Sequence, residues 1–155
     1  MGSVHLVGLI SDTHGLMRPE ALDELRKAEL IIHCGDIGDV GVLEALESIA
    51  AVRAIRGNND RGAWAAKLPT HDIVQIAGQK LYVLHNLSEL DFDPAAAGFT
   101  AVVAGHSHKA AIRKCGKVLF VNPGSAGPRR FRLSVTLAML VVRAGRIDAS
   151  VIALA

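Results

Sequence analysis

The chain has 155 residues, of which 50% are hydrophobic and 21% charged, and its formal net charge is +2. This length suits one globular domain, so we predict a single domain over residues 1–155. The small net charge argues against the concentrated basic surface that binds long nucleic acid, and no such partner is expected.

The termini and cysteines suggest a cytoplasmic protein. Residues 1–5 lack the basic and apolar pattern of a secretion signal, so cytoplasmic localisation is the expectation. The most apolar stretch, residues 137–142, is far shorter than the roughly 20 residues needed to cross a bilayer. Cys34 and Cys115 lack the CxxC spacing of zinc or redox sites, and we interpret both as reduced, buried thiols without a functional role.

The first half of the chain alternates strand and helix patterns. Apolar runs predict strands, and a proline followed by apolar residues at helical spacing predicts a helix from Pro19 onward. Alternation of this kind is typical of parallel strands joined by helical crossovers. The predicted order is strand 4–10, a helix from 19, strand 30–33, a helix near 42–49 and strand 52–55.

The second half is richer in strand pairs. Residues 72–76 and 80–84 flank a short turn containing glycine, which predicts a hairpin. Residues 93–98 predict a brief helix with an Asp cap, a proline at its first position and a closing Gly. Further strands are predicted at 101–104, 111–114, 118–121, 134–142 and 146–152. So many apolar strands in a short chain favour an α/β fold with two sheets packed face to face and helices outside.

Residue types that bind metals follow directly after these apolar strands. The carboxyl ends of parallel strands gather at one edge of a sheet, so five separate segments could converge on one pocket. Imidazole, carboxylate and amide oxygen suit borderline divalent metals. We therefore predict two divalent ions, manganese first, with nickel, iron, zinc, cobalt and magnesium as alternatives. The predicted ligands are Asp12, His14, Asp36, Asn58, His85, His106 and His108. Asp36 is the candidate bridge, because it is the lone carboxylate of its loop.

Five short blocks resemble, in order, those of the calcineurin-like metallophosphoesterases, especially the small single-domain prokaryotic phosphodiesterases. These are DTH at 12–14, GD at 35–36, GNND at 57–60, HN at 85–86 and GHSH at 105–108, followed by NPGS at 122–125. The resemblance implies a four-layer α-β-β-α sandwich of two mixed sheets flanked by helices. It also implies that Asp12, His14, Asp36 and His108 hold one metal, and that Asp36, Asn58, His85 and His106 hold the other.

The predicted reaction is hydrolysis of a small phosphate ester, most simply a phosphodiester, by attack of a hydroxide that bridges the two metals. Asp36, Asn59 and Asp60 are the predicted catalytic residues, with Asp60 orienting the asparagine loop. Asn59 departs from the resemblance, because many members carry a proton-donating His there and asparagine cannot supply a proton near neutral pH. Without a general acid, esters with poor leaving groups should react slowly.

Two alternatives remain open. The same site could act as a phosphomonoesterase, or the chain could be a non-catalytic interaction scaffold that retains the fold. The sequence leaves the oligomeric state open, since apolar edge strands could pair between subunits. His5, His33 and His71 are interpreted as structural. Arg61, Arg129 and Arg130 are weaker candidates for contact with the substrate phosphate.

Overall fold

Ten strands and a few short helices make up the chain, and the computed structural model describes residues 3–130 and 132–154. In chain order the elements are β1 (His5–Ile10), α1 (Pro19–Leu25), β2 (Leu30–His33), α2 (Val40–Glu47), β3 (Ala51–Ala54), α3 (Ala63–Ala66), β4 (His71–Ile76), β5 (Gln79–Leu84), a 3₁₀ helix (Leu87–Glu89), β6 (Ala101–Val103), β7 (Ala111–Cys115), β8 (Val118–Asn122), β9 (Thr136–Arg143) and β10 (Arg146–Ala153).

The strands form two mixed five-stranded sheets, with the orders β10-β9-β1-β2-β3 and β4-β5-β6-β8-β7. In the first sheet β1, β2 and β3 run parallel because helical crossovers join them, and β9 lies antiparallel to β1. In the second sheet β5, β6 and β8 run parallel, while β4 and β7 are antiparallel edge strands. The carboxyl ends of all six parallel strands thus have loops in which polar side chains can gather.

The main hydrophobic core lies between the two sheets. Leu9, Ile32 and Leu140 of the first sheet pack in one buried cluster with Leu81 and Val103 of the second. A second cluster lies between the first sheet and its helices, and it includes Leu25 of α1 and Leu46 of α2. Burial of this apolar surface at roughly 25 cal/mol per Å² holds the sheets in register and so fixes where their strand ends lie.

The outer face of the second sheet is covered by short segments instead of long helices. Val102, Ala104 and Val118 form a small cluster there, against which Leu90 and Phe120 pack. The brief helix predicted for residues 93–98 is wrong: these residues form turns. Its cap nevertheless exists, since the Asp93 carboxylate accepts a hydrogen bond of 3.1 Å from the Ala95 amide. Six residues closing on glycine are too few to propagate a helix without strong packing.

The predicted fold class is confirmed: two mixed sheets and flanking helices form the α/β sandwich that the resemblance implies. Predicted and observed strand bounds differ by no more than two residues at either end. Of the two cysteines predicted to be buried, Cys34 is buried but Cys115 is exposed. The four-residue helix α3 was not predicted, because it begins after Gly62 without a capping side chain. Among the described residues, no helix is long and apolar enough to cross a membrane.

Candidate metal centre

Backbone hydrogen bonds tie the polar loops at the strand ends to one another. The loop after β1 joins the loop after β2, because the Asp12 amide donates to the Gly35 carbonyl and the His14 amide to the Asp36 carbonyl, both at 3.0 Å. In the second sheet, the Gly105 amide donates to the His85 carbonyl at 3.0 Å. The loops therefore hold their side chains in fixed positions relative to one another.

Two groups of donor atoms converge at this edge of the sandwich. Asp12, His14 and His108 form one group, and Asp12, Asp36 and His85 form the other, with all donor atoms of a group within 4.8 Å of one another. Nε2 of His108 lies 3.4 Å from Oδ1 of Asp12, and Nε2 of His85 lies 3.3 Å from Oδ2 of Asp36. Asp12 belongs to both groups, so it joins Asp36 as a candidate for the position between two ions.

The two oxygens of Asp12 have different surroundings. Oδ2 accepts hydrogen bonds from the Ser11 hydroxyl at 2.7 Å and from the His106 amide at 3.0 Å. Oδ1 is buried and has no hydrogen-bond partner among the described residues. A buried carboxylate oxygen without a partner is costly unless a cation or a donor meets it. Oδ1 is therefore directed at the centre of the cluster and free to bind a metal.

His85 is held in the tautomer that a metal requires. Its Nδ1 lies 2.7 Å from the Cys34 carbonyl, to which only a protonated nitrogen can donate. Nε2 therefore carries the lone pair in the neutral ring, and it too is buried without a hydrogen-bond partner among the residues described. Burial disfavours the charged ring, but the nearby Asp36 carboxylate, whose Oδ2 lies 3.3 Å from Nε2, and the hydrogen bond to the Cys34 carbonyl outweigh it, so the pKa of His85 is raised. A bound cation would displace that extra proton.

Asp36 stays ionised through its hydrogen bonds. Burial alone would raise its pKa, but the contacts from His85 and Asn59 hold the pKa of this carboxyl well below its usual range. The Asn59 amide donates to Oδ1 at 2.9 Å and its side-chain Nδ2 donates to Oδ2 at 3.0 Å. Asn59 thus occupies the place of a proton donor but orients a candidate metal ligand.

The backbone at the candidate ligands adopts an uncommon conformation. Among the described residues, six non-glycine positions have a positive φ, and five of them are predicted ligands: Asp12 (54°), His14 (46°), Asp36 (57°), His106 (72°) and His108 (63°). Such positions cost free energy for residues with a side chain and cluster at functional sites. This feature was not predicted from the sequence, and it independently marks the same residues.

The remaining predicted site residues surround this centre. Asn58 is exposed and lines a cleft together with His85 and His106, and the His85 and His106 rings lie 5.1 Å apart. Asp60 is buried, and its two oxygens accept the Gly38 and Gly57 amides, both at 2.9 Å. Asp60 therefore connects the asparagine loop to Gly38, and its predicted role in the reaction stays a prediction.

Sequence reasoning gave no role to several residues that position the ligands. The fully buried His33 accepts the Gly35 amide at Nδ1, 3.1 Å away, which leaves Nε2 to donate to the Thr13 hydroxyl at 2.9 Å. Burial, with the charge of His85, lowers the pKa of His33 to about 3, so the ring stays neutral. The structural interpretation of His33 therefore fits, and His5 similarly bonds Glu29 on the surface.

The late NPGS block also fastens the centre. The Asn122 side chain donates to the Gly105 carbonyl at 2.9 Å, and the Ser125 hydroxyl donates to the Asp12 carbonyl at the same distance. Only its place in the ordered blocks could have indicated this role from sequence, since on chemistry alone it is an ordinary turn.

Of the three arginines considered for the substrate phosphate, Arg130 acts electrostatically on a candidate ligand. Burial lowers the pKa of His108, and the charge of Arg130 lowers it further although Asp12 opposes the shift. Arg61 and Arg129 make no hydrogen bond to a candidate ligand within the part of the chain described. A phosphate contact by any of them stays a prediction.

Two clefts adjoin the centre and share Asn86 and His106. The wider one, about 920 Å³, is lined by polar and aromatic residues, and the narrower one, about 320 Å³, is mainly apolar and includes Val102 and Phe120. Both volumes fall in the range of small-molecule sites. A ligand bound at the centre thus has room on two sides.

The donor set fits divalent cations. The centre combines two buried carboxylates with imidazoles and an amide side chain, the ligand types of borderline divalent metals. The unpartnered Oδ1 of Asp12 and Nε2 of His85 are the atoms that a cation would satisfy. The buried Cys34 is no competitor as a ligand, because burial and the nearby Asp12 raise the pKa of its thiol far above neutrality.

Fold and site together define a metallophosphoesterase. Residues 6–145 match the model of the calcineurin-like phosphoesterase superfamily domain, and the chain belongs to this family. It is 32% identical over 138 residues to a probable metallophosphoesterase of Methanocaldococcus jannaschii, covering 81% of this chain and 70% of that protein.

Solved structures show the same fold. A novel archaeal phosphodiesterase superposes with a TM-score of 0.79 at 24% identity, covering 95% of this chain and 99% of that one. Vacuolar protein sorting 29 of Entamoeba histolytica, complexed with Zn²⁺, superposes with a TM-score of 0.72 at 19% identity, covering 97% and 99%. The resemblance to the calcineurin-like metallophosphoesterases, noted in the sequence, is thereby confirmed for the family and the fold.

Proposed function

We propose that the chain is a metal-dependent phosphodiesterase that holds two divalent ions, manganese first, and acts on a small phosphoester in the cytoplasm. The observation that carries the proposal is the convergence of two buried carboxylates and three imidazoles on one centre, with Oδ1 of Asp12 unpartnered in the described part of the chain. The curated relative in Methanocaldococcus and the archaeal phosphodiesterase are in keeping with it.

The residues divide the work by position. His14 and His108 lie with Asp12 on one side of the centre, and His85 with Asp36 on the other, so each side offers a carboxylate and imidazole nitrogen. Asn58 and His106 would complete the second side from the rim of the wider cleft. When bound, two such ions supply an activated water and neutralise charge on the phosphoryl oxygens. Asn59 and Asp60 hold Asp36 and the asparagine loop in place.

A diester suits the surroundings better than a monoester. A phosphodiester carries two organic arms, and two clefts meet at the candidate centre through Asn86 and His106. A monoester carries one arm and would leave the other cleft unused. The absence of a proton donor at Asn59 further favours esters with good leaving groups, since general acid catalysis is typically worth 10²- to 10⁴-fold.

The test uses protein stripped with a chelator and reloaded with Mn²⁺, assayed on bis(p-nitrophenyl) phosphate and on p-nitrophenyl phosphate. We expect cleavage of the diester to exceed cleavage of the monoester. Asp36→Asn should lower the diester rate more than about 100-fold, because even outer partners of metal ligands typically contribute 10- to 100-fold. Metal content by mass spectrometry should fall in the same variant.

Asp72→Asn is the matched control. Asp72 pairs with Arg53 at 2.8 Å on the protein surface, so this substitution removes a carboxylate of no catalytic relevance and should leave the rate unchanged. A higher rate on the monoester would reassign the protein as a phosphomonoesterase. Equal, negligible rates for metal-loaded wild type and Asp36→Asn would refute the enzymatic proposal.

A further inference from the structure

The wider cleft extends from the candidate metal centre to residues that take no part in it. At its inner end it is lined by Asn58, His85 and His106. At its outer end it is lined by the start of β4, by the outer face of β5 and by the segment after the 3₁₀ helix. A group attached to a phosphate at the centre can therefore extend to these outer residues.

Two stacked aromatic rings, those of His71 and Tyr82, lie in this outer part, and we name them the ring shelf. The two rings are stacked, with centroids 5.9 Å apart and planes inclined by 22°. Tyr82 is also held by Phe92 and Phe99, which pack against it in T-shaped pairs with centroid distances of 4.9 and 5.3 Å. His71 is exposed, so the shelf is accessible to a ligand while its base is held rigid.

Strand pairing fixes the distance between the shelf and the centre. In the β4–β5 pair, His71 lies opposite Leu84, and Leu84 directly precedes His85. The backbone of His71 is thus one cross-strand spacing, about 5 Å, and one residue step, roughly 3.4 Å, from that of a candidate metal ligand. A group joined to phosphorus through a short linker can reach it.

The charges of the cleft favour an arm without negative charge. Glu89 and Asp91 both line the cleft and are exposed, whereas Arg56 is the one Lys or Arg side chain of its described lining. The pKa of Tyr82 is raised by burial and then by the charge of Asp91, which indicates that this carboxylate acts close to the shelf. Carboxylates repel a second phosphate and accept hydrogen bonds from N–H groups.

We propose that the wider cleft is a subsite for a nucleoside arm of the phosphodiester, with the base stacked on His71 and its N–H groups directed to Glu89 or Asp91. The proposal rests on the phosphodiesterase function proposed above. Stacking on an aromatic side chain is sequence-tolerant, because every base presents a flat face. His71 is then a specificity residue and takes no part in metal binding.

Two substrates with one leaving group test the subsite: thymidine 5′-(p-nitrophenyl phosphate) and methyl p-nitrophenyl phosphate. The wild type should prefer the nucleoside ester. His71→Ala should lower kcat/KM about tenfold for that ester, mainly through KM, at the lower end of stacking contributions because the ring is exposed. The methyl ester should be cleaved at a rate within about twofold of wild type.

Two control variants separate this role from a general loss of structure. Tyr82→Phe keeps the lower ring of the shelf and should retain the preference for the nucleoside ester. His5→Ala removes another partly exposed imidazole, from β1 of the other sheet, and should change neither rate. If His71→Ala slows both esters equally, the specificity role is overturned.

Binding of thymidine alone gives a readout that does not depend on catalysis. In amide NMR spectra of the 16.4 kDa protein, thymidine should shift resonances of residues 71, 82 and 92, and these shifts should vanish in His71→Ala. Cleavage of the methyl ester without a nucleoside preference and without these shifts would overturn the subsite but leave the phosphodiesterase. If neither ester is cleaved but the shifts are present, the proposed function is refuted and the cleft is supported as a nucleoside site.

Discussion

Replacing Gly57 by alanine tests directly whether the position of Asp36 determines metal binding. A Cβ built at Gly57 would lie 2.2 Å from both the backbone nitrogen and Oδ1 of Asp36, and 2.9 Å from its carboxylate carbon. The backbone nitrogen cannot move aside like the end of a flexible side chain, so the loop after β2 must shift. Overpacking of this kind costs about 1–3 kcal/mol. Oδ1 would also lose its alignment with the Asn59 amide, which now donates at 2.9 Å.

The assay measures urea unfolding and Mn²⁺ binding for Gly57→Ala and for a glycine control. We expect a loss of about 1–3 kcal/mol in the free energy of unfolding and a 10- to 100-fold loss of metal affinity, as typical for a displaced partner of a ligand. Gly41→Ala is the control: its Cβ would meet only the Asp39 carboxylate, at 3.5 Å, inside α2. That substitution should raise the free energy of unfolding by about 0.4–1 kcal/mol. Wild-type metal affinity in Gly57→Ala would refute the argument.

Three further outcomes are expected. Burial chiefly lowers the pKa of His33 to about 3, whereas the pKa in the unfolded chain is near 6.5. Between these pH values unfolding takes up a proton, so the free energy of unfolding falls as the pH falls, by about 1.4 kcal/mol per pH unit. Denaturant titrations at pH 6.5 and 4.5 should therefore show the stability advantage of wild type over His33→Gln shrinking at the lower pH; an unchanged difference would contradict the burial of a neutral ring. Asn59→His should raise cleavage of alkyl diesters relative to aryl diesters by up to about 100-fold, and an equal change on both would exclude general acid action. A thiol reagent should modify the exposed Cys115 at once and the buried Cys34 only after unfolding, as counted by mass spectrometry; fast double labelling would contradict the packing of β2 and its loop.

The sequence predicts the fold and the composition of the candidate centre well, because both depend on local patterns. Apolar runs ending in Asp, Asn or His identify strands and their carboxyl ends, and parallel pairing brings such ends together. The structure does place Asp12, His14, Asp36, His85 and His108 in one cluster. The metal identity, the number of ions and the role of each ligand remain predictions.

What the sequence could not predict depends on contacts between distant segments. Ser125 supports Asp12 from 113 residues away, and Asn122 supports the loop after β6 through the Gly105 carbonyl. His71 was interpreted as structural, yet it is exposed and lines the wider cleft, because the register of β4 against β5 decides what it faces. The helix predicted for residues 93–98 failed for the opposite reason: its local signals were present, but no packing extended them beyond turns.

The conformation of the ligand loops bears on whether the side chains of the candidate centre have a function. Asp12, His14, Asp36, His106 and His108 all have positive φ values. At about 1 kcal/mol each, five such residues cost roughly 5 kcal/mol, a large share of the 5–15 kcal/mol that typically stabilises a folded domain. Glycine at these positions could form the same loops at lower cost, so the arrangement favours a role for the side chains that it carries. The unfavourable backbone conformation is therefore explained by the side chains that it positions, and a cation bound by them would offset its cost. Asn59 agrees with this reasoning, because it cannot act as a general acid but donates two hydrogen bonds to Asp36.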